Sequence, residues 1–212
     1  MDLVRRAQII LLAVKPQDFS VLASELGALR RNQLVISIMA GFPLSKLKTL
    51  LCHQRLVRAM PNLAARVGQA YTVWQAGVRL SAKERQIVAA VFSSLGKSVE
   101  VHNEDMIDRA TALSGSGPAY FFLLAEKMIE AAYELGMKVD LAKKLVYQTA
   151  FGSGKVLTGS AEDPEDLIAK VASKGGTTEA ALKMFQKKGF GKIVQDGIKA
   201  AYKRSKQLRN DR

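Results

Sequence analysis

Cysteine occurs once, at Cys52, and histidine twice, at His53 and His102, in a chain of 212 residues. A single thiol excludes an internal disulfide and fits a reducing, cytoplasmic setting. Neither histidine has a cysteine or acidic cluster at metal-ligand spacing, so no structural or catalytic metal is expected. Long apolar runs are also lacking. Nothing approaches the 18 or so residues of a membrane span, and the run at 8–14 stops at Lys15 and Pro16, so it reads as a buried strand. Arg5 and Arg6 precede that run, yet LAVKPQ offers none of the small-residue cleavage pattern of a secretion signal. Acidic residues are few: 19 Asp and Glu face 32 Lys and Arg, a net charge of +13. Such an excess raises the question of nucleic acid. The basic residues, however, scatter over helical stretches and gather in KRSKQLRNDR, without an aromatic stacking series, a zinc knuckle or a recognition-helix motif. A solvated basic face that attracts anions is the expectation.

What is present divides the chain in two. Up to about residue 101, short β-rich runs alternate with helical patterns, which predicts a parallel α/β layer with strands near 8–14, 33–38, 55–60, 69–74 and 98–101 and helices near 18–31, 43–52 and 81–95. IILLAV is apolar on both faces, as a sheet covered on both sides requires. From Glu104 the pattern is helical almost throughout, so the domains are read as 1–103 and 104–212. Ser116, Gly117 and Pro118 predict a capped, proline-led helix start, with Phe121, Leu124, Met128, Ala132 and Leu135 on one apolar stripe and Gly136 as its stop. Asp140 is placed to cap the next helix, 141–157, which carries Gly152 and Gly154 in its middle. Each costs about 1 kcal/mol of helix propensity, so close helix–helix contact is expected there, within one subunit or across a dimer.

The segment Pro164–Gln186, PEDLIAKVASKGGTTEAALKMFQ, sets a Gly-Gly turn and two threonines between two helical patterns. Glycine permits positive φ and a close ligand approach, and the free N–H groups of a first helical turn favour an anion. On its own this turn is an ordinary loop with a capped helix. Its setting resembles the signature of the pyrroline-5-carboxylate reductases, matched at Pro164, Leu167, Val171, Ala172, Ser173, Gly175, Gly176, Thr178, Ala181, Leu182, Phe185 and Gln186. Lys174 stands where most members carry proline. LAVKPQ (12–17), ISIMAG (36–41), RAMPN (58–62), ALSGSGPAYFF (112–122) and AAYKRSKQL (200–208) resemble further blocks of that family in the same order.

The resemblance implies a partial Rossmann-type α/β domain followed by an all-α dimerisation domain, and reduction of 1-pyrroline-5-carboxylate to proline with NADPH or NADH. It implies that N–H groups around Gly175, Gly176 and Thr177 hold the substrate carboxylate with Ser173 nearby, and that the Thr178 hydroxyl meets the ring nitrogen as the catalytic contact. Ala13, Val14, Lys15 and Pro16 would line the adenosine and ribose region. Met39 and Ala40 would approach the nicotinamide, with Met60, Pro61 and Asn62 on its other side. The serines of SGSGPAY (114–120) contact cofactor or cap a helix, and both readings stay open. Family members begin with a strand and a G-x-G-x-x-[GA] turn that this sequence does not contain, so roughly 50 residues are expected to be missing ahead of it. A homodimer or larger assembly is implied by the same resemblance. Two rival readings are a silent truncated paralogue serving as an oligomerisation module and a basic nucleic-acid-binding protein.

Overall fold

Apolar four- to seven-residue runs and the turns between them build the first half of the chain. The computed structural model describes residues 2–210. A short helix α1 (Asp2–Arg6) leads into β1 (Ile9–Leu12), a 3-10 turn (Pro16–Asp18), α2 (Phe19–Leu26), β2 (Leu34–Ser37), α3 (Leu44–Leu51), β3 (Leu56–Met60), a second 3-10 turn (Leu63–Val67), β4 (Ala70–Ala76), α4 (Ala82–Ser93) and β5 (Gly96–Glu100). The strands form one sheet in the order β1-β2-β3-β4-β5. β1, β2 and β3 are parallel, and β4 and β5 are parallel to each other, but β3 and β4 are antiparallel. The parallel layer expected from the sequence holds on either side of this one reversal. The segment 61–69 holds only a 3-10 turn, and a parallel crossover needs about a dozen residues or more.

Side chains of β2 alternate between two cores. Val35 packs with Leu12, Phe19, Met39, Phe42, Leu47, Leu51 and Leu56 on one face. Leu34 and Ile36 pack with Val57, Trp74, Val88 and Phe92 on the other. All four residues of β2 are buried, which is the demand made on a central parallel strand by helices on both faces. Each large apolar side chain so buried contributes about 1.5–3 kcal/mol. α4 starts at a reciprocal cap: Glu84 N–H donates to Ser81 Oγ at 3.3 Å and Ser81 N–H to Glu84 Oε2 at 2.8 Å.

From Asp105 the chain is helical: α5 (Asp105–Ala110), a π turn (Thr111–Gly115) and α6 (Gly117–Glu134), then α7 (Val139–Gly159), α8 (Pro164–Val171), α9 (Thr177–Lys187) and α10 (Phe190–Asn210). Ser116 is therefore no helix start. The ladder already runs through it, with Ser116 N–H bonded to Thr111 C=O at 2.8 Å. Pro118 has no N–H to give, and the widened turn just ahead of it resets the ladder. Nor does Asp140 cap α7: the cap position is Lys138, and Asp140 lies in the first turn. Gly136, at φ 87°, closes α6 as expected.

By compactness the described residues up to Pro118 group with those from Ile198 onward, and Ala119–Gly197 form a second unit. The first unit thus takes in α5, the π turn and the end of α10, beyond the 1–103 stretch read from the sequence. In the second unit only Ala142 and Val146 are buried among the apolar residues, whereas Phe121, Phe151 and Ile193 are 69%, 58% and 66% exposed.

Candidate functional site

Leu12 pairs with Ser37 and Ser37 with Arg58, so β1 and β2 end level and β3 runs two residues further, to Met60. The three segments that follow them leave the carboxyl edge of the parallel strands together, where open α/β sheets bind ligands. They contain eight of the nine residues expected on the cofactor side, and the ninth, Met60, is the last residue of β3. Ala13 and Lys15 are exposed, Val14 rests against the first core, and Pro16 opens the 3-10 turn. Ser37 Oγ accepts Met39 N–H at 3.3 Å, Met39 points into the core, and Ala40 is half-buried. Gly41 follows at φ 66°, and a Cβ there would lie 2.7 Å from Leu208 Cβ. Only glycine fits both conditions. Met60 is buried, with Pro61 and Asn62 half-buried beside it, and Asn62 Oδ1 accepts Ala64 N–H at 3.2 Å. Gly115 of the π turn packs on Met60, since a Cβ there would meet Met60 Cγ and Sδ at 3.5 Å.

Beneath this edge lies a charged cluster that reading the sequence did not foresee. Arg58 is fully buried in β3 and donates to Glu104 Oε1 at 2.9 Å and Asp108 Oδ1 at 2.8 Å. An arginine inside the apolar run LVRAM was the available signal, because a buried guanidinium needs anionic partners. Next to it, Tyr202 Oη donates to Asp105 Oδ1 at 2.6 Å and Arg109 Nε to Asp105 Oδ2 at 2.7 Å. The tyrosine bond first, and the arginine with it, hold the Asp105 carboxyl below its ordinary range.

The expected substrate turn lies in the second unit. Gly175 takes φ 75° and Gly176 caps α9, so Thr177 and Thr178 are its first two residues. Gly175 N–H donates to Glu179 Oε2 at 2.7 Å, and Gly176 N–H to Ser173 C=O at 3.0 Å. Two of the donors expected to hold a carboxylate are thus engaged within the turn. Thr177 N–H and Thr178 N–H, at the head of α9, have no helical acceptor. Glu179, which the sequence reading passed over, is kept below the usual carboxylate range by the Gly175 N–H and then by Lys183. No hydrogen bond to the Thr178 hydroxyl is found among the described residues, so it does not serve as a cap. In SGSGPAY, Ser114 Oγ donates to Ala110 C=O at 3.1 Å, a local helix bond. Among the described residues no group of three His, Cys, Asp or Glu could hold a metal ion, and no helix is long and apolar enough to cross a membrane.

The family described as pyrroline-5-carboxylate reductase dimerisation matches residues 104–208, and that described as NADP oxidoreductase, coenzyme F420-dependent, matches residues 1–41. The chain is 38% identical over 209 residues to a pyrroline-5-carboxylate reductase of Pseudomonas aeruginosa, covering 98% of this chain and 77% of that one. It is 35% identical over 208 residues to the Pisum sativum enzyme of the same name, covering 98% and 76%. Among solved structures, pyrroline carboxylate reductase of Plasmodium falciparum with NADP bound superposes with a TM-score of 0.89 at 31% identity, over 98% of this chain and 79% of that one. The Coxiella burnetii enzyme gives 0.87 at 31%, over 97% and 77%. With both halves matched and the ordered strand ends and glycine turn in place, the chain belongs to the pyrroline-5-carboxylate reductase family.

Proposed function

We propose that the chain reduces 1-pyrroline-5-carboxylate to proline with NADPH or NADH, the last step of proline biosynthesis. The observation that carries this is the Ser173–Thr178 turn, with a free threonine hydroxyl at the head of a helix, in a chain of this family. The strand ends suit a nicotinamide dinucleotide: Ala13 and Lys15 are exposed on its ribose side, while half-buried Ala40, Pro61 and Asn62 offer surface to a flat ring. When bound, the cofactor supplies a hydride to the imine carbon of the protonated substrate. The protein's share is placement. Thr177 N–H, at the positive end of α9, holds the substrate carboxylate, with Ser173 beside it, and Gly175 and Gly176 give the turn its shape. Thr178 Oγ1 accepts the hydrogen bond of the ring nitrogen. Ala13–Pro16 flank the ribose, and Met39, Ala40 and Met60–Asn62 flank the nicotinamide.

Residues 1–103 form the nucleotide-binding domain in this reading, and residues 104–212 the dimerisation and substrate domain. A second copy of the chain covers the apolar faces of the second unit, and the single cysteine agrees with a cytoplasmic enzyme. Loss of NADPH absorbance on adding 1-pyrroline-5-carboxylate tests the activity. Thr178→Ala is expected to lower kcat/KM by the equivalent of about 1–3 kcal/mol with the melting temperature unchanged. Activity within twofold of the parent would remove Thr178 from the mechanism.

A further inference from the structure

The end of α10 is anchored against the cofactor edge by the cluster around Asp108. Asp108 is fully buried, yet it shares its oxygens among three donors: Arg58 Nη2 at 2.8 Å and Ser205 Oγ at 3.1 Å on Oδ1, and Arg209 Nη1 at 2.9 Å on Oδ2. Glu104, one turn earlier, takes the second Arg58 nitrogen and also accepts Leu44 N–H at 2.8 Å. Two arginines and two carboxylates therefore balance, and their bonds join β3, α5, α10 and the first residue of α3. A buried ion cluster of this kind adds little stability over a well-packed apolar one. What it does provide is a fixed register. Arg209 is adjacent to Leu208, and Leu208 seats on Gly41 so closely that no Cβ fits between them. Gly41 ends the turn that begins at Met39, and Leu44, three residues on, is held by Glu104. The Met39–Gly41 turn is thereby gripped from both sides.

We propose that Ser205, Arg209 and Asp108 are positioning residues of the cofactor site: by locking the end of α10 onto Gly41 they set the Met39–Gly41 turn and with it nicotinamide affinity. This rests on the reading that Met39 and Ala40 flank the nicotinamide. Arg209 is the informative position, because without it Asp108 keeps Arg58 and Ser205, so the fold survives while the end of α10 is released. The experiment compares Arg209→Met, Arg209→Lys and, as a control on the exposed side of α10, Lys203→Met, all in the full chain. Amide hydrogen exchange over residues 38–43, NADPH affinity from nicotinamide fluorescence, and melting temperature are measured together. Arg209→Met is expected to speed exchange over 38–43 and weaken NADPH about five- to thirtyfold, Arg209→Lys to recover most of both, and Lys203→Met to change neither. A lowered melting temperature with exchange and NADPH affinity within about twofold of the parent would overturn the proposal, as would a parent chain that binds no NADPH. If NADPH affinity responds as described while the parent fails to turn over 1-pyrroline-5-carboxylate, the proposed activity falls and the positioning role stands.

Discussion

At Asp105 the sign of an electrostatic effect can be read from two bonds. Tyr202 and then Arg109 stabilise its carboxylate, so its folded pKa lies below the unfolded one. Such a group adds stability that is fully present above the unfolded pKa, near pH 4, and is lost as pH falls through the lower folded value. Tyr202→Phe is expected to cost about 1–2 kcal/mol at pH 7 and progressively less below pH 4, read from urea unfolding at stepped pH. A cost that is the same at pH 7 and pH 3 would show that the bond does not favour the charged form. Glu179 carries the same sign through the Gly175 N–H and Lys183, but it is only partly shielded from water and its share is small.

Helix α7 poses the matching question for an element. Gly152 and Gly154 have no atom within 4 Å of where a Cβ would sit, so nothing in the described chain requires glycine there. An isolated helix would gain about 1 kcal/mol from alanine at either position. With a second copy packed on α7, Gly152→Ala is expected instead to lower the melting temperature, and a rise would show that no partner backbone approaches there. Elements of this kind were legible where one local signal decides them. Apolar or β-rich runs marked the five strands, most plainly at β1 and β2, and glycine marked the turns at Gly136 and Gly175. Strand direction was not legible at β4, because alternation looks the same either way along a strand and only the short 61–69 connection forces the reversal. The π turn escaped notice because Ser-Gly-Pro normally opens a helix. The Arg58 and Asp108 cluster joins positions 50 and 101 residues apart, a distance that no local pattern spans. Glu179 carries no local signal in the sequence, because its bond to Gly175 depends on the folded course of the turn.

For the whole molecule, α6, α7 and α10 expose many large apolar side chains, Phe121, Phe151 and Ile193 among them, more than is usual for a monomer. Light scattering at micromolar concentration is expected to give at least twice the chain mass, and the melting temperature to fall on dilution, as for an obligate interface of about 2,000 Å2 or more. A monomer mass at that concentration would contradict it. The ionic grip on Asp108 also bears on how the protein is made. Ser205 and Arg209 reach Asp108 across 97 and 101 residues, so a ribosome that has just completed the sheet has not yet synthesised either. Until then the buried carboxylate has Arg58 alone, and the Met39–Gly41 turn has no Leu208 against it. The nucleotide half is therefore translated before the helical half yet among the last to mature, and a nascent chain arrested before Ser205 should expose a protease-sensitive turn at Gly41 although β1 to β5 are already present.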